Sequence, residues 1–384
     1  MDSQARQSFS AASQTLPIRF TGSGSEYFRI WIVNLLMMLL TLTLYAPFAR
    51  ARRLRYFYGN TLVGHDPLKF HGDPWKMFRG YLLMVFVGGI GWVVSHVFPA
   101  LILVPLLLLL LVWPWLWRAS LQFRLANTSW RGVRMAFVGD IAGAYLCMLP
   151  FCLPLLVFLL ALPQLPARGE VAPQPVNPVL AGLLLASLLG LMVCLPWLVA
   201  RVMRYMHSGY VFAQQQTRLE LGGWAFYKLS FKAIAVVLLV VLLAVLMAGG
   251  AAILVDREVW KSQAALMWMG MVFYLAIPLV LNPYAISRRQ NLLWSNTRSS
   301  RLRFSSRLRF GPLLRLNAAN WLFIALTLGL YWPFARVRMA RIRLESVAVE
   351  IEGDVDQWQA KHRASGQGVL GDGAVDFLGI DLGL

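Results

Sequence analysis

Negative charge is scarce in this chain, and that scarcity is the first thing to explain. Of 384 residues only 17 are acidic against 36 basic, and charged residues make up 14%; a soluble globular domain carries roughly a quarter. Cysteine is nearly missing. Cys147, Cys152 and Cys194 form no C-x-x-C pair and no zinc spacing, and all lie in apolar runs, so they read as small core residues rather than redox or metal centres. There is no nucleophile elbow, no phosphate-cradling glycine loop and no H-E-x-x-H, so neither an enzyme nor a cofactor is expected. The first 26 residues are polar and hold no apolar core of a secretory signal.

What fills the chain instead is apolar, 58% of it. The runs Tyr81–His96, Phe98–Trp117, Ile141–Leu162, Pro178–Ala200, Ala233–Val255 and Ala264–Leu281 suit helices that cross a bilayer, which takes about 20 residues. Two shorter runs lie at 30–46 and 318–332. None of the predicted crossing helices has Asp, Glu, Lys or Arg in its interior, which counts against a proton- or sodium-driven carrier. Pro105, Pro150, Pro154 and Pro278 inside the runs read as kinks. The net charge of +19 invites a nucleic-acid reading, but nearly all of the charge sits beside apolar runs, so nucleic acid is not an expected partner.

The stretch LYAPFARARRLRYFYGNT (44–61) shows how that charge is placed. Proline and an aromatic end an apolar run, and arginines follow. The unit recurs at Pro47-Phe48, Pro114-Trp115, Pro196-Trp197, Pro283-Tyr284 and Pro333-Phe334, with Arg50, Arg118, Arg201, Arg288 and Arg336 close behind. Proline bends or ends a helix, the aromatic suits the headgroup layer, and arginine meets anionic lipid. Asn-Thr lies thirteen residues past the proline at Asn60, Asn127 and Asn296, replaced by Gln216-Thr217 in the third copy and Ser346-Val347 in the fifth. With the glycines beyond it, this pair reads as turn chemistry inside a small β-hairpin. Phe70, Phe137 and Phe226, each ten residues past the Asn or Gln, are expected inside a shared apolar interior.

The first and fifth copies match without a gap, NLLMMLLTLTLYAPFARARRLR over NWLFIALTLGLYWPFARVRMAR. Basic residues crowd every motif loop, whereas the alternate loops hold only Arg168, Arg257 and Lys261 beside three acids. The positive-inside rule puts the motif loops, and the C-terminus, in the cytoplasm. Full crossing by both short runs would send the fifth motif outside. They therefore read as re-entrant or embedded helices.

The segment 26–75, FRLANTSWRG (123–132) and LTLGLYWPFARVRMARIR (326–343) resemble the YjgN-like family of bacterial inner-membrane proteins. The resemblance runs from about Phe20 to Glu352. It implies a multi-pass protein of the bacterial inner membrane and brings no substrate or catalytic residue with it.

The fold class expected is an all-α polytopic membrane protein. Three transmembrane helical hairpins are flanked by two short re-entrant helices, with small β-hairpins in the cytoplasmic loops. A polar segment (1–26), one membrane domain (27–343) and a tail with a strand and an acidic glycine-rich end (344–384) make up the chain. His65, Asp66, His71 and Asp73 in GHDPLKFHGDP could be drawn as a metal site, but their place in the repeat points to turn and strand roles. Two functions fit: handling or transport of a lipid or other amphiphile, or a non-catalytic assembly or envelope-maintenance role with a cytoplasmic partner. Under the first, Arg50, Arg52, Arg55, Arg336, Arg338 and Arg341 are the candidate binders of anionic lipid phosphate, because the guanidinium fork suits phosphate.

Overall fold

The structure is a computed structural model, and it describes residues 13–98, 101, 103–161, 177–254 and 263–353. The expected tail contacts of Phe377, Leu378 and Ile380 lie outside these residues. Among the described residues five helices are long and apolar enough to cross a membrane: Pro74–Val97, Val104–Ala126, Ile141–Phe158, Pro178–Ser208 and Gly223–Met247.

The loops correct the all-α expectation. Their strands do not form separate hairpins; they join one antiparallel sheet of eleven strands. In chain order these are β1 (Ser13–Phe20), β2 (Thr61–Val63), β3 (Asp66–Phe70), β4 (Thr128–Trp130), β5 (Val133–Phe137), β6 (Tyr210–Phe212), β7 (Gln215–Gln216), β8 (Arg218–Leu219), β9 (Thr297–Arg298), β10 (Leu302–Ser306) and β11 (Val347–Glu352). The row begins at β7 and ends at β8, and only Thr217 separates those two in the chain. The sheet therefore curls round into a small near-barrel whose two end strands are β7 and β8. β1 pairs with both β2 and β11, so the two ends of the described chain meet in it. The physical reason is the edge problem: a lone hairpin exposes unpaired N–H and C=O groups, and joining the hairpins leaves only the two-residue strands β7 and β8 as edges.

Each repeat is strand, inbound helix, outbound helix, strand, and the two strands pair with each other. The helices are α1 (Gly24–Leu40) with α2 (Ala46–Gly59), and α3 (Pro74–Val97) with α4 (Leu103–Ala126). Next come α5 (Ile141–Met148) and α6 (Leu153–Ala161), joined by a 3-10 turn, with α7 (Pro178–Ser208). The last pairs are α8 (Gly223–Leu254) with α9 (Gln263–Trp294), and α10 (Phe310–Leu326) with α11 (Trp332–Leu344). Each helix packs on its chain neighbours and α11 packs on α1, so the helices also form a ring.

Register shows how alike the five units are. The strand entering each unit ends on a buried residue: Phe20, Phe70, Phe137, Leu219 or Ser306. Seven residues on, in the inbound helix, is a second buried one: Tyr27, Met77, Ala144, Phe226 or Leu313. Phe226 thus holds the place of Met77, not that of Phe70. None of these phenylalanines enters the barrel: Phe70 packs with Ala51, Met77 and Phe123, and Phe137 with Trp117 and Ala144, at the joints between helices and strands.

Asn-Thr turns out to cap helices rather than to make turns. The last carbonyls of a helix have no internal partner. Asn60 Nδ2 and Thr61 Oγ1 donate to the carbonyls of Tyr56 (2.9 Å) and Phe57 (2.7 Å). Asn127-Thr128 does the same for Phe123 and Arg124, and Asn296-Thr297 for Leu292 and Leu293. In the third repeat the job passes across the hairpin, where Gln216 and Thr217 donate to Ser208 and His207. Thr297 spends its proton on Leu293, so His207 Nδ1, 2.9 Å away, is the donor to Thr297 Oγ1 and carries the ring proton.

The two short hairpins turn back at Thr41–Tyr45 and Thr327–Tyr331. In each, the threonine hydroxyl donates to the carbonyl four residues back (Met37, 2.7 Å; Phe323, 2.6 Å) and accepts from the N–H four residues on (Tyr45 and Tyr331, both 3.0 Å). One hydroxyl thus serves a carbonyl of one helix and an orphan N–H of the next. Leu42 and Thr43 take positive φ at the first tip, Leu328 and Gly329 at the second.

Candidate functional site: a basic-rimmed cavity in the barrel

Along the strands the side chains alternate, as in Val347–Glu352, where Val347, Val349 and Ile351 are buried and their neighbours are not. The inward set does not fill the barrel. A cavity of about 700 Å³ remains, reaching from the far turns to the ends of all five outbound helices. Its far half is aliphatic and aromatic, lined by Val63, Trp130, Phe212, Leu302 and Ile351 among others, and the buried Trp130 Nε1 has no hydrogen-bond partner there. Every polar lining residue sits at the helix end: Tyr58, Thr61, Arg124, Tyr210, Thr217, Gln290 and Arg343.

Arg124 and Arg343 share a place in the repeat, ten residues past Pro114 and Pro333. Arg343 Nε donates to Gln290 Oε1 (3.0 Å), and Gln290 Nε2 donates back to the Arg343 carbonyl (2.8 Å). Burial, with Arg289 nearby, pulls the Arg343 guanidinium below its usual range. Arg124 acts on the Tyr210 phenol, which burial nevertheless pushes up to about 12. No carboxylate is among the cavity's described lining residues. Neither arginine was expected to matter from the sequence. The available signal was their common offset from the motif proline.

The arginines that were expected to bind lipid fall into two kinds. Arg55 Nη2 donates to the Gly72 carbonyl (3.0 Å) and Arg341 Nη2 to the Gly22 carbonyl (2.9 Å). Arg118, Arg204 and Asn291 do likewise for Gly139, Leu221 and Leu308, always two residues past the strand end. These bonds tie each outbound helix to the corner of the next repeat. Arg52, Arg336 and Arg338 instead lie over the rings of Tyr45, Trp332 and Tyr331, at 5.6, 5.2 and 5.5 Å. They are exposed. Arg50 is half-buried on the same helix. The two clusters flank α1, since Arg53 of one and Arg336 of the other both act on the Tyr27 phenol.

The residues of GHDPLKFHGDP are spread out. Asp66 pairs with Arg131, His71 Nε2 shares a hydrogen bond with Ser129 Oγ (2.7 Å), and Asp73 caps α3 by accepting from Trp75 N (2.9 Å). Among the described residues no three metal-binding side chains come together.

A near-closed strand ring carrying membrane helical hairpins, with a basic-rimmed apolar cavity where the two meet, defines a multi-pass membrane protein. Residues 15–377 match the family model described as bacterial protein of unknown function (DUF898), and the chain belongs to that family. It is 25% identical over 366 residues to the inner membrane protein YjgN of Salmonella typhimurium, covering 88% of each chain. Against the inner membrane protein YjgN of Escherichia coli K12 it is 24% identical over 362 residues, again covering 88% of each. No solved structure matches it.

Proposed function

We propose that this membrane protein binds and handles an anionic amphiphile, with the barrel on the cytoplasmic side. The cavity carries the reading: apolar walls, two arginines at one end and no lining carboxylate. A pocket of roughly 300–1,000 Å³ suits a small organic ligand, and the pair of guanidinium groups suits a phosphate or carboxylate head. The six motif arginines form an outer collar in this reading. Arg52, Arg336 and Arg338, spread over aromatic rings, meet inner-leaflet headgroups, with Arg50 beside them; Arg55 and Arg341 mainly brace the joints. The basic motif loops support the orientation. The role is binding and transfer without catalysis.

The test is native mass spectrometry of the protein released from its own membrane in mild detergent, beside the Arg124→Gln/Arg343→Gln variant. Losing two charge-assisted contacts should cut retained anionic amphiphile by about tenfold or more. Equal retention by a folded variant would sink the reading.

A further inference from the structure

The cavity is polarised along its axis, and the direction is unusual for a membrane protein. Its polar residues lie at the helix ends, next to the bilayer, whereas its apolar half lies farther away, inside the barrel. From Val347 to Ile351 the wall runs four residues, or roughly 13 Å of strand. At its far end Trp130, Leu302, Val349 and Ile351 pack with Leu16 and Val63 into one apolar cluster. Resting on the amphiphile reading above, we infer that the ligand is a single-chain anionic amphiphile, held with its head at Arg124 and Arg343 and its tail pointing away from the membrane.

Three observations converge on this. Charge sits at one end only, so an anionic head has one place to go. The remaining wall is aliphatic and aromatic, so a polar second half of the ligand would lose its hydration without recovering hydrogen bonds. Size argues for one chain: 700 Å³ lies within the roughly 300–1,000 Å³ of a pocket that takes one small organic ligand. The tail would leave one apolar phase for another, so its transfer costs little, while the head stays at headgroup depth. The arrangement suits withdrawal of a free fatty acid or a lysophospholipid from the adjoining leaflet.

The experiment uses the full chain in detergent and palmitate carrying a photoreactive diazirine at its terminal carbon, with labelled peptides mapped by mass spectrometry. Label is expected on the strands bearing Trp130, Phe212 and Leu302. Palmitate and lysophosphatidate, which separate a carboxylate source from a phosphate source, are the competitors, and at least one should reduce that label about tenfold. Two-chain phosphatidate should not. Labelling confined to α3 and α8 while palmitate still binds would overturn the inverted pose and leave amphiphile binding standing. Equal competition by phosphatidate would overturn the single-chain assignment. If none of the three lipids binds, both this inference and the proposed function fall.

Discussion

The short hairpins, α1–α2 and α10–α11, and the tall ones between them are built alike at the base and differently at the tip. At the base all five share the buried strand-end residue, the buried residue seven positions on and the side chain donating to the next corner. Above that the tall hairpins run on, α8 for 32 residues, with side chains such as Leu243 and Leu246 facing outward. The short ones stop at a threonine-held turn. The comparison teaches that the joint with the barrel is the conserved module of the architecture, and that hairpin height is the free variable.

If so, damage at a joint should far exceed damage on a tall helix. Phe70→Ala empties a site buried among Ala51, Met77 and Phe123 and should cost about 3–5 kcal/mol. Leu243→Ala exchanges one lipid-facing apolar side chain for a smaller one and should cost under about 1 kcal/mol, since lipid tails replace the lost contacts. Unfolding titrations in mixed micelles measure both, and equal losses would break the distinction.

At the tips the asymmetry should reverse. Thr327→Val strips the acceptor from the Tyr331 N–H, an orphan in hydrocarbon worth about 2 kcal/mol. Ser187→Ala in α7 removes only a hydroxyl bonded to its own helix, at Leu184, and should cost about 0.6 kcal/mol or less. The same titration sharpens the contrast, and a neutral Thr327→Val would refute the tip device.

The smallest effect compares the two short hairpins with each other. Gly329 has φ of 94° where its counterpart Thr43 has 73°. Gly329→Thr should therefore cost about 1–2 kcal/mol, the left-handed penalty for a side chain. Thr43→Gly relieves that strain but gives up the 3.1 Å hydroxyl contact with Tyr81, so its midpoint should move by less than half as much. Opposite ranking of the two shifts would mean that the tips are not equivalent.

The repeat itself was legible, because its marks are local: proline, aromatic, arginine and Asn-Thr recur at fixed short offsets. The barrel was not, because its pairings are not local. Thr15 lies opposite Glu350 and Phe304 opposite Val349, and three-residue strands such as Thr61–Val63 carry too little alternation to name a partner. The third repeat misled for a related reason. Its capping pair moved to the other arm of the hairpin, so counting from Gln216 put Phe226 in the wrong register. The lipid-binding candidates were sought where arginine is dense. The cavity instead took Arg343, the last of the fifth motif's arginines, and Arg124 from another repeat, two residues far apart in the sequence that line one space only in the folded barrel.

The short hairpins also bear on the shape that the bilayer feels. α1, of 17 residues, is roughly 26 Å long at 1.5 Å per residue, and its tip falls short of the far side of a hydrocarbon core about 30 Å thick with headgroups beyond. Since α1 touches α11, the two short hairpins stand side by side. The face next to the barrel therefore accommodates five hairpins and the far face only three, with the deficit on one flank. A body of that wedge form displaces unequal lipid area from the two monolayers, so its insertion bends the membrane toward the narrower side, and a membrane already curved that way will hold it more tightly than a flat one.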